Sequence, residues 1–348
     1  MKEFRVRESE AGQSVWKYIT KLMPGASASL LRKSLRKKNI TLNDRKLEGK
    51  EKIQAGDSIK IWFSDETIDK FMGKEEKVPE RKADGDELSG RIVYEDHDVL
   101  LVNKPAGLLT QGDASGEKSL NDEILAYLKD EVTPVFKPSV CNRLDRNTSG
   151  LVIAGKNIHA LQAMNEIIRK RDVRKIYTAL VYGEMKGKGK LEGYLKKDHE
   201  DNQVRLVKKS EDAQHIEILY EAEETYRKEG ITFTRVEIEL LTGRSHQIRV
   251  QMAGEGHPLL GDKKYGTKES IEASRELGIK RQMLHAGLLS FPAFEEGFEG
   301  VSEKSFRAPL PEDMENSIQN KIHGVYIQKR PCHARRHAGP FHLYCISR

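Results

Sequence analysis

Asp145 lies between two arginines in the run Asn142-Arg143-Leu144-Asp145-Arg146-Asn147-Thr148-Ser149-Gly150, just ahead of the apolar stretch Leu151 to Ala154. A carboxylate flanked by guanidiniums is held ionised, and an ionised aspartate is an ion-pair partner, a nucleophile or a base. Its place, where a loop feeds a strand, is one that catalytic groups favour. Taken alone, an Arg-x-Asp-Arg run describes a surface ion pair more often than a site. The rest of the chain has to decide between the two.

Two other residues have suitable chemistry. Tyr177, within Arg174-Lys175-Ile176-Tyr177-Thr178-Ala179-Leu180-Val181-Tyr182-Gly183, offers a flat aromatic face. Arg249, within Thr242-Gly243-Arg244-Ser245-His246-Gln247-Ile248-Arg249-Val250, offers a permanent positive charge. By periodicity alone, Tyr177 is a packing residue on an alternating strand and Arg249 the solvated face of a helix. His246 and His285 read as structural histidines and receive no role. Lys104, beside Pro105-Ala106-Gly107, and Arg143 and Arg146 are suited to phosphate contacts.

The elements that must position these groups can be read in outline. Ile92-Val93-Tyr94 and Val99 to Val102 are strands about a turn at Glu95 to Asp98. Lys175 to Val181 is another strand, and Val236 to Leu240 alternates with period two. Leu161, Met164 and Ile168 put a helix over about 157–171, and Ile248 and Met252 a second one after Ser245. Strands outnumber helices without alternating with them, which predicts an α+β fold with a mixed, mainly antiparallel sheet.

Ahead of that unit, residues 1–64 form a separate small module. Val15, Ile19 and Leu22 share one helix face, and Pro24-Gly25 ends that helix. Ser27 or Ser29 starts a second helix that turns Leu30, Leu31 and Leu35 inward and Arg32, Lys33, Arg36, Lys37 and Lys38 outward. Short strands and a Gly56-Asp57 turn follow. The charged, apolar-poor residues 65–89 read as a linker, residues 90–316 as the main domain, and residues 317–348 as a disordered basic tail.

Charge is concentrated at the two ends. The chain carries +6 overall, the first seventy residues account for +6, the last twenty-nine for another +6, and the middle for −6. A basic end is a common footprint for nucleic acid. No stretch has the apolar length of a membrane span, and the N-terminus lacks a signal peptide. Three cysteines, Cys141, Cys332 and Cys345, form no disulfide framework, which fits a cytoplasmic protein. Cys332, His337, His342 and Cys345 match no common zinc spacing, so no metal site is expected.

The first module resembles the S-four-type RNA-binding module, named after a small-subunit ribosomal protein, over about residues 12–64. The larger unit resembles the RluA-type pseudouridine synthases over about residues 90–312. That likeness rests on five stretches in order: Asn103 to Gly107, the Asp145 run, Arg174 to Gly183, Thr242 to Val250 with His257-Pro258-Leu259-Leu260-Gly261-Asp262, and Leu284-His285-Ala286. It implies isomerisation of uridine to pseudouridine in folded RNA without metal or organic cofactor. Asp145 would be the catalytic aspartate, Tyr177 the tyrosine that stacks on the base, and Arg249 the partner of the aspartate. The family usually has His where this chain has Asn142, and often Asp where it has Asn147.

The residue types suit that chemistry. A carboxylate can attack the sugar or remove a sugar proton, and the sequence leaves both open. An arginine keeps it charged where water is excluded, and an aromatic platform retains the detached base. Because the S-four-type module often accompanies ribosomal members of the family, the resemblance implies an enzyme acting on large-subunit ribosomal RNA; a monomer with no DNA or membrane partner is expected. The same chemistry on transfer RNA, and a non-catalytic ribosome-assembly protein, are the alternatives. A nucleoside hydrolase is disfavoured because no second carboxylate stands as a paired general acid.

Overall fold

A computed structural model describes residues 1–73, 88–197, 204–295 and 297–319. The basic tail beyond Gln319 and residues 74–87 of the expected linker lie outside the described residues.

The chain opens with a three-stranded antiparallel sheet of β1 (Lys2–Arg5), β2 (Ile40–Leu42) and β3 (Ser58–Ile61), with β3 in the middle. Between β1 and β2 come α1 (Val15–Leu22) and α2 (Ala28–Arg36). Each starts at a serine: Ser14 Oγ accepts from Lys17 N at 3.3 Å, and Ser27 Oγ from Leu30 N at 3.3 Å. Such caps satisfy backbone donors that a helix leaves free. Val15, Ile19, Leu22, Leu31 and Leu35 join Ile59 and Ile61 in one core. Arg32, Lys33, Arg36, Lys37 and Lys38 are all exposed, with the Arg32 guanidinium 5.2 Å from the Trp16 ring centre.

This unit extends past residue 64. Where a linker was expected to begin, Asp65–Met72 forms α3, capped by Ser64 and burying Ile68 in the same core. Charge content hid the helix, but Ile68, Phe71 and Met72 are three and four residues apart and line one face. Val135, from the main domain, packs into this core as well.

The main domain is an eleven-stranded sheet. Its strands are β4 (Ile92–Glu95), β5 (Val99–Lys104), β6 (Ser139–Val140), β7 (Ser149–Gly155), β8 (Arg174–Tyr182), β9 (Lys188–Lys197), β10 (Val204–Val207), β11 (Gln214–Lys228), β12 (Ile231–Leu240), β13 (Leu284–Ser290) and β14 (Ser305–Arg307). The order is β10-β9-β11-β12-β8-β13-β7-β5-β4, with β6 on β7 and β14 on β13. Among the described residues, every pairing between these strands is antiparallel except that of β13 with β7. The expected α+β class with a mixed, mainly antiparallel sheet is therefore what forms.

Both faces of the β5/β7 region are covered. Leu100, Val102, Val152 and Ala154 pack with α4 (Leu120–Tyr127) and α6 (Gln247–Gly254), whereas Val99, Leu101, Leu151 and Ile153 pack with α5 (Ile158–Lys170). That double burial is why these strands read as continuous apolar runs rather than alternating ones. Helices α7 (Lys268–Glu276) and α8 (Glu312–Ile318) complete the domain, and α8 carries it two residues beyond the boundary expected at 316.

The β13/β7 seam joins the two halves of the sheet through just two residue pairs, His285 with Ser149 and Ala286 with Gly150. Gly150 has φ +117°, and a Cβ there would collide with the Ala286 backbone. Only glycine meets both conditions. Gly150→Ala should therefore lower stability by about 3 kcal/mol, read as a drop in the denaturant midpoint. An unchanged midpoint would show that the seam can separate at no cost.

Candidate active site

The segment from Asn142 to Gly150 is held by other parts of the chain through its backbone. Thr110 Oγ1 donates to Leu144 O at 2.8 Å and accepts from Leu144 N at 3.1 Å. Asn142 Oδ1 accepts from Ile153 N at 2.7 Å, so the residue that departs from the expected histidine ties the loop to β7. The Arg146 carbonyl accepts from Gly107 N at 2.9 Å and from Lys104 Nζ at 3.0 Å. Arg281 Nη1 donates to Asn147 O at 3.2 Å while its Nε and Nη2 grip Asp313 at 2.6 and 2.7 Å.

Lys104 corrects an expectation. It was assigned to RNA phosphate, but its side chain is 0% exposed, and Nζ also donates to Pro105 O at 2.9 Å and Leu108 O at 2.8 Å. Three carbonyls take its three protons, leaving nothing for a ligand. Burial pulls this amine down to about 7, with the Asp145 charge acting in the opposite direction. Its position between two loops makes it a clamp on the Asp145 segment. Arg146 is also not free: its guanidinium forms two hydrogen bonds to Glu117, and Nε donates to Gly107 O at 3.0 Å. Arg143 is exposed and has no ion-pair partner among the described residues.

Arg249 and Asp145 meet across 104 residues of chain, with Nη1 donating to Asp145 Oδ2 at 3.0 Å. The helix carrying Arg249 is buried rather than amphipathic, and Arg249 itself is 7% exposed. A third residue completes the arrangement. Asp262, 2% exposed, accepts from Arg249 Nε at 2.7 Å and from Nη2 at 2.9 Å. Burial alone would lower the Arg249 value, but the Asp262 bonds and the two carboxylate charges push it above its usual range. Burial likewise opposes ionisation of Asp262, and the Arg249 bonds outweigh it and hold Asp262 below the ordinary carboxylate range. Planar fork-on-carboxylate geometry fixes the guanidinium and leaves one nitrogen aimed at Asp145. The Asp145 side chain is 25% exposed, so it is open to a ligand while Arg249 is not.

Tyr177 on β8 is the register partner of Ala286, which in turn faces Gly150 at the end of the Asp145 loop. It is 7% exposed, and burial, aided by the Asp145 charge, raises its phenol so that it stays protonated at neutral pH. His246 Nε2 lies 4.0 Å from Asp145 Oδ2, and its Nδ1 lies 2.7 Å from Tyr265 Oη. The Tyr265 ring also carries the Arg249 guanidinium at 5.0 Å. Burial lowers the His246 imidazole below its ordinary value, and Asp145 opposes this. His285, 1% exposed, joins Ser149 Oγ at 3.0 Å and Ala308 O at 3.3 Å, and burial lowers it too, as befits a structural histidine at the seam.

The arrangement brings a partly open carboxylate, a buried cation fixed beside it and an aromatic side chain into one region, which suits attack or proton abstraction at an electrophilic carbon. Sequence reasoning quoted Asp262 in a motif but gave it no role, and it set His246 aside. The available signal was an acid thirteen residues beyond Arg249, which becomes informative once that arginine is known to be buried. Among the described residues, no group of three or more His, Cys, Asp or Glu could hold a metal. No described helix is long and apolar enough to cross a membrane. A groove beside the loop is lined by Gly107, Asn147, Lys228, Lys280 and Arg281 among others.

Comparison with known proteins converges on one family. The family model for RNA pseudouridylate synthase matches residues 98–254. The chain is 30% identical over 326 residues to ribosomal large subunit pseudouridine synthase C of Haemophilus influenzae, covering 92% of this chain and 94% of that protein. It is 31% identical over 323 residues to the uncharacterized RNA pseudouridine synthase YlyB of Bacillus subtilis, covering 90% and 95%. In fold it is similar to human RNA pseudouridylate synthase domain containing 4, with a TM-score of 0.54 at 22% identity over 67% of this chain and 93% of that one.

Asp262→Asn should remove about 3 kcal/mol of stability at neutral pH by leaving Arg249 short of a buried counter-charge. The sign with pH follows from the depressed Asp262 value. Its contribution is complete above the unfolded carboxylate value near pH 4 and is lost as pH falls through the folded value. Urea titrations at pH 7 and pH 3 should therefore show a large gap between variant and wild type that narrows in acid. An equal gap at both would show that charge on Asp262 is not what matters.

Proposed function

The chain belongs to the RNA pseudouridylate synthase family, and from that premise we propose that Asp145 is its reacting carboxylate, with Arg249 as counter-charge and Tyr177 as the platform for the base. The observation carrying this reading is the 3.0 Å contact between Asp145 and an arginine that Asp262 has already immobilised. The chain is an RNA pseudouridine synthase, so the overall change is an isomerisation. The bond from uridine N1 to C1′ breaks, and its electron pair stays with the uracil. Asp145 either bonds to C1′ or takes the proton from the 2′ carbon. The uracil turns and C5 bonds to C1′ as the Asp145–C1′ bond breaks or, on the other route, as Asp145 returns the proton to C2′. The C5 proton then leaves and N1 gains one, so atoms and charge balance and the carboxylate is regenerated. Arg249 stabilises the carboxylate when substrate displaces water, and Tyr177 offers a flat surface that keeps the loose base in place. The target nucleotide must leave its stack, at a cost of a few kcal/mol.

Large-subunit ribosomal RNA is the substrate we assign, on the strength of relatives whose names specify it. A cytoplasmic, monomeric enzyme with no DNA or membrane partner fits that assignment. Residues 1–72 serve as an RNA-binding module, with Arg32, Lys33, Arg36, Lys37 and Lys38 meeting phosphates; residues 90–316 carry the chemistry. Arg143 adds a contact at the loop, and Lys228 and Lys280 extend a basic path beside it.

Asp145→Asn should abolish pseudouridine formation, measured by mass spectrometry of the RNA, while binding of that RNA persists. Normal modification by the variant would eliminate Asp145 as the reacting group. Replacing Lys33, Arg36 and Lys37 together by Ala should weaken RNA binding and reduce the slope of log affinity against log salt by about 2 to 3. An unchanged slope would remove α2 from the RNA interface.

A further inference from the structure

His246 stands beside the Asp145 carboxylate, and the reaction described above does not use it. Its backbone has φ +54°, a left-handed conformation that costs a non-glycine residue on the order of 1 kcal/mol. Helix capping does not account for it: His246 occupies the N-cap of α6, but its side chain makes no capping hydrogen bond. The ring is held from the other side. Tyr265 Oη accepts from Val204 N at 3.2 Å and lies 2.7 Å from His246 Nδ1. The phenol O–H is directed at Nδ1; a proton on Nδ1 instead would leave it without a protein acceptor among the described residues. That pairing favours the tautomer with the imidazole proton on Nε2. At 4.0 Å from Asp145 Oδ2 this N–H is too far for a good hydrogen bond to the carboxylate, and the side chain is 21% exposed.

We propose that His246 is a further catalytic residue that donates its Nε2–H to the departing uracil, with Tyr265 as the positioning residue that sets the tautomer. This rests on the reading of Asp145 as the reacting carboxylate. When the N1–C1′ bond breaks, the electron pair spreads from N1 onto the O2 and O4 carbonyl oxygens. A donor 4.0 Å from the carboxylate that reacts with the sugar is placed for O2, the carbonyl next to N1. No proton is transferred in this step: the hydrogen bond lowers the energy of the anion and leaves it anionic. An imidazolium would instead protonate the base and remove the electron density that C5 needs to form its bond. Burial keeps the ring neutral with Arg249 and Lys264 acting in the same direction, and it outweighs Asp145 and Asp262, which act against it.

Nitrogen NMR of the histidine-labelled full chain should show His246 protonated on Nε2 and bare on Nδ1, and Tyr265→Phe should disturb that pattern while the ring under Arg249 remains. In single-turnover assays on ribosomal RNA, His246→Ala should lower kcat about 100-fold with KM nearly unchanged, Tyr265→Phe about 10-fold, and His246→Gln should recover at least tenfold over Ala by restoring an N–H. An Nδ1-protonated ring, an unaltered kcat in His246→Ala, or equal losses in the Ala and Gln variants would overturn the proposal. If a variant fails to fold, the wild-type tautomer decides alone. An active Asp145→Asn variant would instead overturn the underlying reading, a result that does not alter the His246 tautomer measurement.

Discussion

A single guanidinium shared by two carboxylates organises this molecule. Arg249 has five N–H donors, and Asp262 takes two in a planar pair that cannot rotate. The nitrogen left over is therefore fixed in direction before any ligand arrives. A charge this deeply buried would be ruinous without such partners, so the helix carrying Arg249 can be internal only because Asp262 is internal too. Asp262 depends on its own corner in turn. Gly261, with φ +76°, lies against the Arg281 carbonyl so closely that no side chain fits, and Arg281 reaches on to the Asp145 loop.

The sheet supplies the frame for this pair. Asp145 approaches from the β7 half, Tyr177 from the β8 half, and the short parallel seam at Gly150 and Ala286 brings the halves together. Side-chain donors from Thr110, Lys104 and Arg281 hold the loop's backbone carbonyls on several sides, so the Asp145 side chain is not needed as an anchor. Using main-chain carbonyls as anchors is economical, because any residue type can provide them.

Much of this was legible in the chain. Period-two alternation in Val236 to Leu240, the unbroken apolar runs at Leu100 and Val152, and the serine start of α2 each follow from local physics and appear where expected. The Asp145–Arg249 pairing was also anticipated, through the resemblance rather than through spacing. Long-range polar geometry was not legible. Lys104 looked like an exposed cation because sequence does not show that three carbonyls converge on it. Asp262 looked inert because its meaning depends on the burial of a residue thirteen positions away. His246 was set aside because a backbone in the left-handed region and a phenol from another segment cannot be read from its neighbours. The α3 helix was missed because charge outweighed a short apolar face of three residues.

The seam at Gly150 and Ala286 also bears on how the chain reaches this structure. Ser149 and His285 are 136 residues apart, and Asp145 and Arg249 are 104 apart, so these contacts close large loops. Pairings of high sequence separation form slowly, because chain entropy is lost before they give anything back. The contacts around Asp145 and the seam are thus expected among the later ones to form. A nascent or truncated chain ending before β13 would hold the Asp145 loop without the strand that joins it to the half of the sheet carrying Tyr177.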